Sequence, residues 1–357
     1  MKPILINGRF LTQRVTGVQR FALEVTRAID AAIGAGEWPA ETRLLRPPGE
    51  AASPWENLPA EVVGRHGGQA WEQLDLPRQL RGGVLLSLGN TAPLLAGRRQ
   101  AVVIHDAGVF DTPESYSWQF RAWYRLLHHG LARSGAKILT VSEFSRGRLA
   151  ERLRLDPTRI GVLPEGGEHI LRAPADAGIL ARHGLQPGRY ALAVGNPAAH
   201  KNLALLQAAA GLLAARGLTL ALAGAADAAV FRRTEGGPAA IALGRVSDAE
   251  LRALYEQALC LVFPSRYEGF GLPPLEAMTC GCPVLAARSG AVPEVCGEAA
   301  LWFDAASPES LTAALARLLE EEGLLPQLRR AGLLRAAQFT WPRAAAVLRE
   351  QLESLAR

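Results

Sequence analysis

Residues 263–284, FPSRYEGFGLPPLEAMTCGCPV, place a glycine loop and a helical segment between two short apolar runs. The predicted strands are 260–264 and 283–287, and the predicted helix between them is 273–280. Short aliphatic runs that alternate with helical segments are typical of βα units. Parallel neighbours in a sheet need such a crossover connection, so this stretch favours an α/β fold.

The same alternation continues along the 357 residues. In the first half the predicted strands are 3–7, 42–46, 84–88, 101–105 and 137–142, and the predicted helices are 17–34, 115–133 and 143–154. In the second half the predicted strands are 190–195, 218–224, 240–243, 260–264, 283–287 and 300–303, and the predicted helices are 201–215, 248–257, 273–280 and 308–320. Each half is therefore predicted to be a doubly wound, Rossmann-like unit.

Prolines and glycines concentrate in residues 164–189, where the helical and strand periodicity fades. Such a segment is typical of a domain boundary. We expect domains at 1–172 and 173–341 that face a central cleft, where the carboxyl ends of parallel strands place ligands.

The net charge of +5 belongs entirely to the first half. Residues 1–172 hold 22 basic and 17 acidic side chains, whereas residues 173–357 hold 17 of each. This asymmetry suits an anionic partner of the first domain, and it equally suits a solvated basic surface. The apolar run in residues 1–8 is too short for a signal-peptide core, and no membrane span is evident, which predicts a cytoplasmic protein.

The four cysteines lie between Cys260 and Cys296, and two of them form the sequence Cys280-Gly281-Cys282. Metal knuckles and redox motifs use two intervening residues rather than one. We therefore predict buried free thiols and no metal site.

Lys201 is one of only three lysines among 39 basic residues, and it lies in the loop GNPAAHKN between a strand and a helix. An ammonium group at a helix N-terminus, beside backbone N–H groups that lack partners, favours phosphate binding. The alternative is an ordinary surface lysine near a helix cap.

The quoted stretch offers a second anion site at the start of its helix. Gly269 and Gly271 leave backbone amides open, and the prolines that follow suit the first helical turn. Glu268 and Glu276 flank this loop, and carboxylates accept hydrogen bonds from sugar hydroxyls. Together with Lys201, this pattern predicts a site for a sugar nucleotide with one glutamate for each sugar.

These motifs resemble the family-4 retaining glycosyltransferases of the GT-B fold. The resemblance covers nearly the whole chain and rests on SRYEGFGLPPLEAMTCGCPV, SGAVPEVCGEAALWFD, VGNPAAHKNL, GRVSDAELRALYEQA, TGVQRFALEV, VVIHDAGVFDTPE and FTWPRAAAVLREQLESLAR. It implies that the C-terminal helix, 342–357, crosses back onto the first domain.

The resemblance assigns roles in the second domain. It implies that Lys201 contacts the donor diphosphate, that Glu276 binds the ribose hydroxyls and that Glu268 binds the transferred sugar. The amides of Phe270, Gly271 and Leu272 would lie beside its phosphate, and Gly269 would also belong to the donor site. The segment around Arg245 would contact the nucleotide base through its backbone, and Asn196 replaces an arginine that many relatives use for the diphosphate.

In the first domain the resemblance implies that His105 approaches the donor sugar and supports positive charge through its backbone. Gly17 would lie under the donor or acceptor, and Arg20 and Asp106 would contact the acceptor. The alternatives are a hydrogen-bonding histidine at a strand end and a plain helix start capped by Thr16.

The implied activity is transfer of mannose from GDP-mannose to a lipid-linked or oligosaccharide acceptor, without a cofactor, a metal or a nucleic-acid partner. UDP-glucose and dTDP-rhamnose stay open as donors, as do double displacement and same-face transfer as mechanisms. A non-catalytic sugar-nucleotide-binding protein and an epimerase are the competing functions. The helix at 115–133 is expected to pack on the core or to contact the cytoplasmic face of the inner membrane.

Overall fold

The computed structural model describes residues 2–49, 54–224 and 240–356. The chain divides into one unit formed by Met1–Glu165 with Trp341–Arg357, and a second formed by Gly166–Thr340. The first division therefore falls before Gly166, whereas the sequence placed it after residue 172. The final helix belongs to the first unit.

Parallel strands form the sheet of the first unit, in the order β3-β2-β1-β4-β5-β6-β7 among the described residues. The strands are β1 Ile4–Asn7, β2 Thr42–Arg46, β3 Ala60–Val62, β4 Val84–Ser87, β5 Gln100–Val103, β6 Lys137–Thr140 and β7 Ile160–Val162. The central strands are fully buried because helices cover both faces of a doubly wound sheet.

The helices of the first unit are α1 Gly17–Gly34, α2 Gly68–Ala70, α3 Gly108–Asp111, α4 Trp118–Ser134, α5 Glu143–Leu153 and α13 Trp341–Ala356. Serine hydroxyls cap α4 and α5, since Ser117 accepts from Phe120 and Ser142 from Ser145. Thr16 stands at the N-cap of α1 but makes no capping hydrogen bond through its side chain. The ring of Trp341 packs edge-on against Phe21 of α1, 5.9 Å between centroids.

The second unit has its own parallel sheet, in the order β10-β9-β8-β11-β12-β13 among the described residues. Its strands are β8 Tyr190–Val194, β9 Thr219–Ala223, β10 Ala240–Gly244, β11 Cys260–Phe263, β12 Val284–Ala287 and β13 Ala300–Phe303. Its helices are α6 Gly178–Arg182, α7 Leu206–Ala215, α8 Asp248–Gln257, α9 Leu272–Thr279, α10 Val292–Cys296, α11 Pro308–Glu320 and α12 Leu324–Ala336. A capping box of Ser247 and Glu250 begins α8.

The predicted fold class is confirmed: each unit is a doubly wound α/β domain. The sequence missed the short strands β3 and β7 and the helices α2, α3, α6, α10 and α12. It also began the helix after β8 too early. Two 3₁₀ turns precede α7 because Asn202 adopts a left-handed conformation, φ 55°, that interrupts the helix.

The cysteine thiols are all free. Cys260, Cys282 and Cys296 are buried and Cys280 is half-buried. Burial raises the pKa of Cys260 to about 12, so this thiol stays protonated and packs as an apolar group. Among the described residues, no group of three or more histidine, cysteine, aspartate or glutamate side chains could hold a metal ion.

Candidate active site

The Lys201 ammonium group forms an ion pair with Glu268. Lys201 ends the 3₁₀ turn after β8, and its Nζ lies 2.7 Å from Glu268 Oε1. The two side chains are 18% and 12% exposed, so solvent reaches them only partly. A charge-assisted hydrogen bond of this length, between side chains that are mostly shielded from solvent, holds both groups in defined positions.

Two contacts join the loop after β8 to the loop after β11. The side-chain amide of Asn202 donates to the carbonyl of Pro264, 3.1 Å, and the backbone N–H of Arg266 donates to the carbonyl of His200, 2.8 Å. These strands are neighbours in the sheet, so their carboxyl ends lie side by side. The sheet therefore brings Lys201 and Glu268 together.

The backbone of Glu268 rests directly on Gly290. Gly290 has φ +59°, and a Cβ there would lie 2.7 Å from both the nitrogen and the carbonyl oxygen of Glu268. The next residue, Ala291, donates its N–H to that carbonyl at 3.1 Å. Only glycine fits this position, which makes Gly290 a support for the loop that carries Glu268.

Backbone amides at the start of α9 point to an anion site. Gly271 is the N-cap with φ +110°, and Pro273 and Pro274 follow in the first turn. Among the described residues, none accepts a hydrogen bond from the N–H of Phe270, Gly271 or Leu272. Three consecutive N–H groups without an acceptor among the described residues thus follow Glu268, and such groups at the start of a helix suit an anion.

Glu276 lies in α9 and is 7% exposed. His169 Nε2 donates to its Oε1 at 2.8 Å, and Tyr255 Oη donates to its Oε2 at 3.1 Å. Burial and then the Glu276 carboxylate raise the pKa of Tyr255 well above its ordinary value, so the phenol keeps its proton. A carboxylate has about four acceptor positions, so these two partners orient Glu276 and leave capacity for hydroxyl groups of a ligand.

Two further residues predicted at the donor site lie on exposed loops. Asn196 Oδ1 accepts from the N–H of Ala198 at 3.2 Å, so its side chain stabilises its own turn. Arg245 follows β10 and is exposed. No carboxylate of a described residue forms an ion pair with it.

His105 lies two residues beyond β5 in the first unit and is 5% exposed. Its Nε2 lies 3.0 Å from the carbonyl oxygen of Leu88, so this nitrogen carries the hydrogen, and Nδ1 lies 3.6 Å from Glu165 Oε1. Its backbone is fixed as well, because its N–H donates to Asn90 Oδ1 at 2.7 Å and its carbonyl accepts from the Thr140 hydroxyl at 3.2 Å. His105 is thus hydrogen-bonded at a strand end, in a rigid position.

The remaining candidates of the first unit differ in accessibility. Asp106 Oδ1 accepts from the N–H of Gly108 at 2.6 Å and shapes the turn before α3. Gly17 begins α1 and is exposed, and a Cβ there would meet no atom within 4 Å. Arg20 is half-buried, with Nη1 3.6 Å from Glu24 Oε1.

Comparison with known proteins identifies the family of the chain. Residues 188–321, most of the second unit, match the family described as Glycosyl transferases group 1. The chain is 34% identical over 257 residues to the O-antigen chain mannosyltransferase B of Escherichia coli, an alignment that covers 68% of this chain and 67% of that protein. The chain belongs to the group 1 glycosyl transferases.

A second relative of this glycosyltransferase is also a mannosyltransferase by name. The chain is 32% identical over 244 residues to the MMP alpha-(1->4)-mannosyltransferase of Mycolicibacterium hassiacum, which covers 63% of this chain and 56% of that protein. The chain therefore spans little more than half the length of this second relative. Its structure is similar to that of sucrose-phosphate synthase from Thermosynechococcus elongatus, with a TM-score of 0.72, 18% identity and 99% of each chain covered. This likeness shows the GT-B fold, and the Escherichia coli relative confirms the predicted family.

The structure of the glycosyltransferase brings some predicted site residues together. Lys201, Glu268 and the amides of 270–272 form one cluster in the second unit. Glu276 forms a separate hydrogen-bonded group with two residues that the sequence analysis did not single out, His169 and Tyr255.

The two missed residues gave different signals. His169 follows the pair Gly166-Gly167 in a stretch interpreted as a domain boundary, yet it is 2% exposed. A lone histidine after two glycines in a supposed linker could have drawn attention. Tyr255 gave no such signal, because an aromatic residue on the buried face of α8 is typical of a core residue.

Proposed function

We propose that this glycosyltransferase transfers a hexose from a nucleotide sugar, with retained configuration and without a metal, in cell-surface polysaccharide synthesis. The observation that carries the proposal is the Lys201–Glu268 ion pair, followed two residues later by three amides, 270–272, that have no acceptor among the described residues. Such a cluster suits the diphosphate of a sugar nucleotide. Four parts of this proposal follow: diphosphate binding, sugar recognition, the transfer itself, and the identity of donor and acceptor.

The first part is diphosphate binding. Phosphate oxygens would replace Glu268 as the partner of the Lys201 ammonium group and would accept from the amides of Phe270, Gly271 and Leu272. Negative charge grows on the departing phosphate during transfer. Donors that are already in position stabilise this charge, and each contributes about 3–4 kcal/mol in comparable oxyanion sites.

The second part is recognition of the two sugars. Once the diphosphate takes the ammonium group, the Glu268 carboxylate is available to accept from hydroxyls of the transferred hexose. Glu276, held by His169 and Tyr255, would accept from the ribose hydroxyls. Asn196 is engaged in its own turn, so the diphosphate would depend on Lys201 and the amides.

The third part is the transfer itself. We favour a same-face reaction in which the bond from the anomeric carbon to the phosphate oxygen breaks, the acceptor hydroxyl oxygen bonds to that carbon, and the departing phosphate takes the hydroxyl proton. Neither a cofactor nor a metal takes part in this proposal.

The fourth part concerns the identity of donor and acceptor. The names of both relatives specify mannose, which supports GDP-mannose as the donor. The name of the Escherichia coli relative also refers to the O-antigen chain, which supports a lipid-linked or oligosaccharide acceptor. None of the helices in the described part of the chain is long and apolar enough to cross a bilayer. We propose action at the cytoplasmic face of the membrane, with α4 as the peripheral contact, since Trp118 and Leu126 are 72% and 64% exposed.

The deciding experiment is donor hydrolysis and transfer measured with GDP-mannose, UDP-glucose and dTDP-rhamnose, with and without EDTA. We expect turnover with GDP-mannose that EDTA does not reduce, and an α-glycoside by NMR. Turnover with another donor would change the proposed donor sugar but would still support the proposed transfer reaction. Tight binding of GDP-mannose with no transfer to any acceptor would favour a non-catalytic binding protein.

A further inference from the structure

A cavity of about 870 Å³ lies wholly within the first unit, formed by the ends of α4 and α5 and the loops beside them. It is lined by six arginines, Arg98, Arg125, Arg133, Arg152, Arg154 and Arg159. One carboxylate, that of Glu151, is among its lining residues, and that group already pairs with Arg148 at 2.5 Å. The cavity therefore carries a large excess of positive charge.

The helix ends account for part of this charge. Arg133 lies in the last turn of α4 and Arg152 in the last turn of α5, where cations stabilise the partial negative charge of the helix C-terminus. Arg152 also pairs with Asp111 at 2.7 Å. Only these two arginines of the six are explained in this way.

Four of the six arginines have no carboxylate partner in the described part of the chain. Among the described residues, Arg98, Arg125, Arg133 and Arg154 form no ion pair with a carboxylate. Arg125 lies 5.4 Å over the ring of Phe110, a contact that orients the guanidinium group without neutralising it.

The backbone brings these side chains into the same place. Arg98 lies across Gly135, the left-handed residue that ends α4, and a Cβ at Gly135 would lie 2.7 Å from Arg98 Cγ. Arg154 is the left-handed residue that ends α5, φ 55°. Guanidinium groups from a loop and two helix ends thus converge on one cavity.

The positive charge of the arginines also affects His129. His129 lines the same cavity, and its pKa is lowered, first by burial and then by the charges of Arg133, Arg125 and Arg154. The repulsion among these groups is offset only in part, because Glu151 pairs with Arg148, and Asp111 pairs with Arg148 and Arg152. An external anion would relieve it.

We propose that this cavity binds a ligand that carries two or more phosphate groups. Arginine forks match phosphate oxygens two at a time, and the apolar lining residues Phe110, Leu153 and Leu155 would contact the apolar part of a ligand. The volume suits a di- or oligophosphate rather than a single phosphate ion. The ligand is either a free oligophosphate or the headgroup of an anionic lipid.

The test uses the full chain in the Lys201→Ala background, so that pyrophosphate does not bind at the proposed donor site. Calorimetry with inorganic pyrophosphate examines the free ligand, and co-sedimentation with vesicles of cardiolipin, a lipid with two phosphate groups, against phosphatidylcholine examines the headgroup. The variants are Arg125→Gln/Arg133→Gln and, as an independent pair, Arg98→Gln/Arg159→Gln. Arg99→Gln/Arg65→Gln is the matched control, since both arginines are exposed and neither lines the cavity.

We expect both cavity variants to weaken binding by about tenfold or more, as loss of charge-assisted hydrogen bonds does, and the control to leave it unchanged. Loss of pyrophosphate binding identifies a free oligophosphate, and loss of vesicle binding alone identifies a lipid headgroup. Binding of neither probe, or equal weakening in the control, overturns the proposal. Donor turnover plays no part in this readout, so the outcome is independent of the proposed function.

Discussion

Lys201 Nζ and Glu268 Oε1 lie 2.7 Å apart, although 67 residues separate them in the sequence. In the proposed function, Lys201 supplies a cation for the diphosphate and Glu268 an acceptor for sugar hydroxyls. A phosphate that takes the ammonium group would leave the carboxylate to the sugar. This exchange of partners gives the first prediction.

Replacement of Lys201 by alanine should lower kcat for transfer by about 10²–10³-fold, because one donor to the leaving phosphate is lost. Lys201→Arg keeps the charge but changes its shape, so we expect a partial loss. Steady-state kinetics with GDP-mannose checks both variants. Equal activity of Lys201→Ala and wild type would remove Lys201 from the mechanism.

Replacement of Tyr255 by phenylalanine should weaken donor binding more than chemistry. The change removes the hydrogen bond to Glu276 Oε2 and keeps the buried ring, so we expect KM for the donor to rise while kcat changes less. The free energy of unfolding should fall by about 1–3 kcal/mol, since a buried carboxylate loses a donor. Kinetics and urea unfolding measure the two effects. A fall in kcat alone would contradict the assigned orienting role.

Replacement of Gly290 by alanine should disturb the loop that carries Glu268. The new Cβ would meet the backbone of Glu268 at 2.7 Å, and the residue would also be strained at φ +59°. We expect a loss of about 2–4 kcal/mol in stability, from strain and displacement together, and reduced activity.

Gly184→Ala is the matched control for this substitution. Gly184 has φ +64°, but a Cβ there would meet no atom within 4 Å, so only the backbone strain applies. Thermal melts and turnover compare the two variants. Similar losses in both would show that the contact with Glu268 has no effect.

Buried His128 should make stability fall in acid. Burial lowers its pKa to about 4, its Nδ1 has no hydrogen-bond partner, and its Nε2 donates to the carbonyl of Asn90 at 3.0 Å. As pH falls below about 6.5, the unfolded chain takes up a proton on this histidine and the folded chain does not. Stability should therefore decline between pH 6.5 and about 4, by roughly 3 kcal/mol from this group.

The check is the dependence of the urea midpoint on pH in wild type and in His128→Gln. The wild type should lose more stability between pH 6.5 and 4.5 than the variant does. His183→Gln serves as the control, since His183 is half-buried at the end of α6. Parallel curves for wild type and His128→Gln would contradict the prediction.

The sequence alone determined the α/β class and most of the elements, because the alternation of strands and helices is local. Helices α1, α8 and α11 begin and end where the sequence predicted. The sequence did not predict the strands β3 and β7, because a run of three residues is too short to show a periodicity. The positions of Lys201, Glu268 and Glu276 in loops and at a helix start predicted all three as candidate site residues.

Only the tertiary structure decided which partners these residues have. The contact of Lys201 with Glu268 depends on strands β8 and β11 lying side by side, and the contacts of Glu276 with His169 and Tyr255 join segments that are distant in sequence. The arginine cavity likewise requires the ends of α4 and α5 to converge. Local propensity fixes where a helix starts, whereas the pairing of parallel strands through long crossovers fixes which loops meet, and no short stretch of sequence contains that information.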